Sequence, residues 1–269
     1  MMTDIGMCRR GDTFRWIAAL PASRLCNASC SPINRRMEPN RRLLLGLLCT
    51  LPAACVSLGD QREPGTPIAA PADAAVRPPA VGQRWVYEVR DLYRNMVVDT
   101  VTETVVATAP EIRLQRTSAR HGALAEEIQE PWGMIVQDPY WDPPVVFLEP
   151  IAAWPRLPIE PGQARSVHAR YHTLRTPDFD MPWYQTMHVL GWESIAVPAG
   201  TFEVVVYHNA IDFTSNDFNR TESFRSEVVW FAPRIGRWVL RRGRGSYFTP
   251  NRGGPMVERY LQWKLISWG

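Results

Sequence analysis

The run Ile195-Ala196-Val197-Pro198-Ala199-Gly200-Thr201-Phe202-Glu203-Val204-Val205-Val206 reads as strand, turn, strand. Proline presets φ for the first turn position, and glycine accepts the left-handed residue that ends a short hairpin loop. The valines, isoleucine and phenylalanine on either side favour extended chain. The same logic returns with a longer loop in Trp230-Phe231-Ala232-Pro233-Arg234-Ile235-Gly236-Arg237-Trp238-Val239. Hairpins of this kind predict antiparallel pairing.

Outward from these turns the dominant period is two. Trp85, Tyr87 and Val89 alternate with Val86, Glu88 and Arg90, the pattern of a strand with one buried face. Further strand candidates are residues 96–108, 111–117, 132–137, 164–173, 185–197, 201–213, 222–231, 237–247 and 256–268. None carries a helical stripe. The fold predicted is an all-β domain, an antiparallel sheet of about ten strands curled into an open or half barrel, with a β-sandwich as the alternative. Residues 131–161 hold eight prolines. Proline lacks an amide donor and is excluded from central strands, so this stretch is expected to be an excursion over one end of the sheet.

Three motifs carry a resemblance. Gly82-Gln83-Arg84-Trp85-Val86-Tyr87, the Val197-Pro198-Ala199-Gly200-Thr201-Phe202 hairpin, and Trp230-Phe231-Ala232-Pro233 followed by Gly236 and Trp238-Val239 resemble a broad group of bacterial periplasmic proteins and lipoproteins. The resemblance spans about residues 82–268. It implies an antiparallel β fold, similar to the lipoprotein-carrier half-barrels, and no established activity. It carries over no catalytic residue, because the motif positions are turn and core residues.

The amino-terminal part is different in kind. All five cysteines of the 269-residue chain (Cys8, Cys26, Cys30, Cys49, Cys55) fall in its first 55 residues. So does the basic excess: eight arginines there face Asp4, Asp12 and Glu38, and the remainder of the chain is slightly acidic at −2. That remainder lacks the positive field needed for nucleic-acid binding. From Met37 the sequence runs through Arg41-Arg42 and the leucine-rich stretch to Ala53-Ala54-Cys55, the form of a basic n-region, a short apolar h-region and a small-residue cleavage site. Residues 43–54 are too few to span a bilayer as a helix, which takes about 20.

Leu51-Pro52-Ala53-Ala54-Cys55 resembles a bacterial lipobox, departing from it by Pro52 where leucine is usual. Two outcomes stay open: lipidation at Cys55, or plain secretion with cleavage after Ala54 or Ala74. The organisation expected is residues 1–36 as an over-extended, disordered start, 37–54 as signal peptide, 55–81 as lipidated cysteine and Pro/Ala-rich tether, and 82–269 as the β domain. The location expected is the periplasmic face of a bacterial envelope.

Catalytic patterns are thin. His168 and His172 share a face of a strand, yet sit about 13 Å apart along it, too far for one ion. Asp178, Asp180 and Glu193 have no fixed relation if the first two lie in a proline-flanked loop. There is no Gly-x-Ser-x-Gly elbow, no phosphate-cradling glycine loop and no cysteine nucleophile after Cys55. Arg237, Arg241, Arg242 and Arg244 read as the solvated face of a strand whose other face carries Trp238 and Leu240. No catalytic, cofactor or metal-binding residue is predicted, and the chain is not read as an enzyme. Trp85, Trp192, Phe202, Trp230, Trp238 and Trp263 are core residues that would also line a ligand cavity if the half-barrel has one. The function expected is a lipoprotein, membrane-anchored through Cys55, that binds a lipid, an acyl chain or another envelope protein. The alternatives are a structural or assembly protein with no small-molecule pocket, and third, an envelope hydrolase.

Overall fold

The computed structural model describes residues 65–156, 158–217, 219–250 and 252–269. Residues 1–36, the signal-like segment 37–54 and Cys55 lie outside the described residues.

Thirteen strands follow one another: β1 (Thr66–Ile68), β2 (Arg84–Asp91), β3 (Met96–Ala107), β4 (Ile112–Ser118), β5 (Gly122–Gln129), β6 (Met134–Asp138), β7 (Val145–Ala152), β8 (Ala164–Thr173), β9 (Thr176–Val197), β10 (Gly200–Phe213), β11 (Ser223–Ala232), β12 (Arg237–Tyr247) and β13 (Met256–Trp268). Each of β2 to β12 pairs antiparallel with the next, and β13 returns to pair with β2. Twelve strands thus form a closed up-and-down barrel, with β1 added on β9 beyond the end of β8.

Closure corrects the expected open or half barrel of about ten strands, and the sandwich alternative with it. An open sheet leaves two rows of unpaired backbone groups, and closing the ring removes both. The hairpin at Pro198-Ala199-Gly200 is formed, with Val197 registered on Gly200. Two strands of the ring, β5 and β7, had no clear pattern. The inward positions of β5 include Glu127 and Gln129, so its buried face is not apolar. β7 contains Pro150, which falls in the part of that strand, residues 148–150, that registers with neither β6 nor β8. A missing amide costs nothing there. The expected excursion over residues 131–161 is therefore partly wall, holding β6 and β7 with its prolines in loops or unregistered positions. Asp178 and Asp180 likewise belong to β9 rather than to a loop.

Because strands alternate direction, the loops divide between two ends of the barrel. At one end lie the turns after β3, β5, β7, β9 and β11, and this end is strapped. From β1, paired on Ser194, Glu193 and Trp192, the chain continues until Ala74 and Val76 pack on the core. The Arg77 amide donates to Pro233 O at 2.9 Å, and Trp132 Nε1 donates to Arg77 O at 3.1 Å. Gly236 ends the short 3-10 turn Pro233–Ile235 at φ +64°, and a Cβ there would lie 2.6 Å from Arg77 O. Its lack of a side chain serves both the left-handed turn and the close approach of the strap. Residues 65–81 of the proline- and alanine-rich stretch, the part that is described, thus lie against the barrel.

A barrel of twelve strands is wider than one of eight, so its interior needs bulky filling. Trp85, Tyr87, Val105, Leu114, Phe231 and Leu265 are at most 1% exposed. Tyr87 stacks on Trp238 with centroids 3.9 Å apart, and Trp154 stacks on Phe231 at 4.6 Å. A second, smaller apolar cluster gathers Phe147, Tyr171, Trp183 and Phe213, toward the end opposite the strap.

Candidate functional site

Charge fills the remaining interior. Arg237, at the start of β12, donates to Glu103 of β3 from Nε (3.1 Å) and Nη2 (2.8 Å), and to Glu127 of β5 from Nη1 (2.7 Å) and Nη2 (2.5 Å). Arg116 of β4 donates from Nε to the other oxygen of Glu103 at 3.1 Å. The Tyr140 hydroxyl also donates to Glu103, and accepts from Arg237 Nη2 at 2.7 Å. One turn of the ladder away, Arg241 Nη2 donates to Glu227 of β11 at 2.6 Å and lies 3.9 Å from Asp138 of β6. This belt reaches across the barrel from β12 to the wall formed by β3, β4, β5 and β6.

The electrostatics follow from burial. Desolvation raises the Glu127 carboxyl, but the adjacent Arg237 outweighs it and holds the group below its ordinary range. Asp138 goes the other way: burial pushes it up, and Arg241 at a longer distance recovers only part. Burial also pushes the Tyr87 and Tyr140 hydroxyls well up, so both stay protonated donors. Each carboxylate of the belt has an arginine within 4.0 Å, and Glu127, Asp138 and Glu227 border the small interior cavity. Such a belt sets geometry, since removing one partner would strand the other's charge in low dielectric.

Sequence reasoning missed this belt and expected Arg237 and Arg241 on a solvated face. They are 3% and 7% exposed. The signal was present in register: Arg116 follows Ile112 and Leu114 on the buried face of β4, and Glu103 sits between Val101 and Val105 on that of β3.

Hollows adjoin the filled interior in three places. Beside the belt a cavity of about 40 Å³ is bordered by Tyr207, Asn209, Trp238 and Arg241, room for one or two waters. At the end opposite the strap, open hollows of about 420 and 230 Å³ share Asp142 and Arg220. The third lies in the side wall. β7 and β8 register over three residue pairs, Val145 to Phe147 against Thr173 to Tyr171, and then part. Behind the gap is a slot of about 110 Å³, walled by Met134 and Ile151 on one side and Val167, Met187 and Val189 on the other. Arg156 and Arg165 also border it.

The six aromatics singled out from the sequence all belong to the main core cluster. They do not gather around one space. Trp238 borders the interior cavity and Trp263 a hollow at the unstrapped end. Trp192 and Phe202 border a depression beside the strap with Pro71 and Asp73, while Trp85 and Trp230 are fully buried. The slot has a different lining, aliphatic and methionine side chains on β6 to β9 with Trp154, Gln163 and Gln185 beside them. His168 and His172 lie on β8, the first edge-on to Tyr184 and the second 3.5 Å from Asp180. Among the described residues no group of three His, Cys, Asp or Glu side chains is placed to hold a metal ion. Glu193 is far from that pair in role: it accepts from Trp230 Nε1 at 3.2 Å.

No protein-family model matches the chain, and no curated protein matches it in sequence. Solved structures resemble it in shape. A protein of Bacteroides fragilis, provisionally described as exported and as having a YmcC-like fold, is 13% identical; the match covers 73% of this chain and 100% of that one, at a TM-score of 0.48. A protein of Parabacteroides distasonis, provisionally described as a lipoprotein, is 14% identical over 71% of this chain and 97% of that one, at 0.47. The hypothetical lipoprotein YmcC of Escherichia coli is 11% identical over 71% of this chain and 90% of that one, at 0.39. No residue role is carried over from them.

Proposed function

We propose that this protein is a cell-envelope lipoprotein that binds the end of an amphiphile's apolar chain in the side-wall slot and catalyses no reaction. The observation that carries the reading is the parting of β7 and β8 over an apolar slot in an otherwise closed ring. A dry cavity of roughly 150 Å³ lined by aliphatic side chains takes up a benzene-sized group, so a slot of about 110 Å³ fits a few methylenes rather than a whole lipid. The two bordering arginines complement an anionic head. Methionines in the lining adapt to chains of varied shape.

The leader supports the envelope location: a basic, apolar and small-residue series ending at Cys55 has the form of an export signal with a lipidation site. Ten residues lead from Cys55 to Gly65, a reach of at most about 36 Å. A lipidated Cys55 would thus leave at most that length of chain between its lipid and Gly65.

The test is to purify the protein from its own envelope, extract it with organic solvent and weigh what comes off by mass spectrometry. We expect an acyl-chain species in stoichiometric amount, and its loss from Met187→Asp protein whose thermal unfolding shows a folded barrel. Apolar extracts that are equally empty for both proteins would overturn the reading. That outcome would favour a structural or assembly role, for which the exposed Tyr93, Met96, Val97 and Leu174 on hairpins of the unstrapped end are the natural contact surface.

A further inference from the structure

Around the unstrapped mouth several donors are left over. Arg225 of β11 is 5% exposed and borders the larger hollow. Its guanidinium is clamped between Trp141 and Phe213, with its carbon 4.1 and 4.3 Å from the two ring centroids. Its Nε and Nη1 are buried without a protein hydrogen-bond partner. The nearest carboxylate, Glu258, stands 3.8 Å away and is engaged by Arg220. Two further buried donors at the same mouth are also without partners: Trp141 Nε1, on the loop between β6 and β7, and Ser223 Oγ, two residues from Arg225 on the same face of β11.

Leaving buried donors unpaired is costly, and more so when the group is charged, so several together call for a cause. The barrel elsewhere shows what a satisfied arginine looks like here: Arg237 makes bonds to two glutamates. Around the mouth Arg175, Arg220, Arg225 and Arg259 face Asp142, Asp217 and Glu258, with Asp142 shared between Arg175 at 3.2 Å and Arg259 at 2.9 Å. Arg225 is the arginine with the fewest direct partners, and Asp138 and Glu227 act on it only from deeper in the barrel. Burial pulls that guanidinium below its ordinary value, and Glu258 restores only part.

We infer that the unstrapped mouth is a binding site for a compact oxyanion, a phosphate monoester or a carboxylate, held by Arg225 and Arg220 with Ser223 and Trp141 as neutral donors. Arginine suits such groups because its planar donors match their oxygens. Trp141 is the cover. Its ring shields Arg225, and its loop opens onto both hollows, through which the anion enters. The site is separate from the side-wall slot, which lies at the strapped end and shares none of these residues.

The experiment uses the full chain in detergent, with thermal unfolding and calorimetric titration read side by side. The probes are inorganic phosphate, glycerol phosphate as a headgroup fragment, glucuronate as a sugar carboxylate, and chloride at matched ionic strength as control. We expect saturable binding of at least one oxyanion and a rise in Tm that tracks its occupancy. In both Arg225→Met and Arg220→Gln that affinity should fall at least tenfold. Arg225→Met should also unfold no earlier than wild type without anion, because the methionine removes an under-compensated buried charge. Preference for glycerol phosphate over inorganic phosphate would indicate a headgroup source, preference for glucuronate a saccharide, and parity of the two phosphates a free ion. No saturable binding of any probe, or affinities unchanged in both variants, would overturn the inference. Should Arg225→Met fail to fold, the more exposed Arg220→Gln decides alone.

Discussion

Two walls of the same barrel are held together very differently. β9 and β10 register over fourteen residue pairs, β10 and β11 over nine, and β11 and β12 over ten. On the opposite side β5 and β6 register over two, β6 and β7 over four, and β7 and β8 over three. The long wall is rich in valine and aromatic residues; the thin wall carries Pro131, Pro139, Pro143, Pro144 and Pro150 in or beside its strands. Those prolines sit in loops or at unregistered positions, so they bound the ladders of that side and leave them short. What ties it in is the ionic belt, whose arginines on β12 reach Glu127 and Asp138 on β5 and β6. The slot opens where the belt does not extend and the ladder is short.

Cutting the tie should have the largest effect. Arg237→Ala leaves Glu103 and Glu127 facing each other in the interior, and we expect a loss of about 3 to 5 kcal/mol in urea denaturation. A loss below about 1 kcal/mol would mean that the thin wall stands without the belt. Next, amide exchange should separate the walls. β10 amides should exchange only on global unfolding, while those of residues 148–152 and 164–167 open locally on the order of a hundredfold more often or faster. Equal protection would erase the distinction.

Acid should act through the belt as well. The folded value of Glu127 lies below its unfolded one, so its contribution is complete above about pH 4.3 and is lost as pH falls through the lower folded value. Asp138, with its raised value, has the opposite sign: its burial costs stability as pH rises through the folded value, and acid relieves that cost. Tm measured between about pH 5 and pH 3 should therefore fall less steeply in Glu127→Gln than in wild type. The smallest effect belongs to Pro150→Ala. Its position has no ladder bond to gain, so stability should drop by no more than about 1 kcal/mol, the entropy returned to the unfolded chain.

The contrast between the walls also explains what could be read in advance. In the long wall, alternation and turn chemistry agree, and the strands at residues 201–213, 222–231 and 237–247 were each legible from β-branched and aromatic periodicity. The thin wall hid its strands because Glu127 and Gln129 stand where an apolar residue signals burial, and because Pro150 looks like a breaker unless its neighbours are known. The belt was invisible for the same reason. Arg237 and Arg241 in isolation look solvated; Glu103 and Glu127, 134 and 110 residues away, make the burial of Arg237 tolerable, and Glu227 on the neighbouring strand, 14 away, does so for Arg241. Neither the slot nor the mouth had a local signal at all, since Met187 and Arg225 are ordinary strand residues until the walls around them are drawn.

The sequence by itself determined strand identity over the long wall and the two glycine-bearing turns, because each depends on residues near one another along the chain. The tertiary structure alone decided that the sheet closes, that arginines fill its interior, and where the wall parts. Those depend on how many strands meet around the ring and on which distant charges face across it, and neither quantity is written in any local stretch of residues.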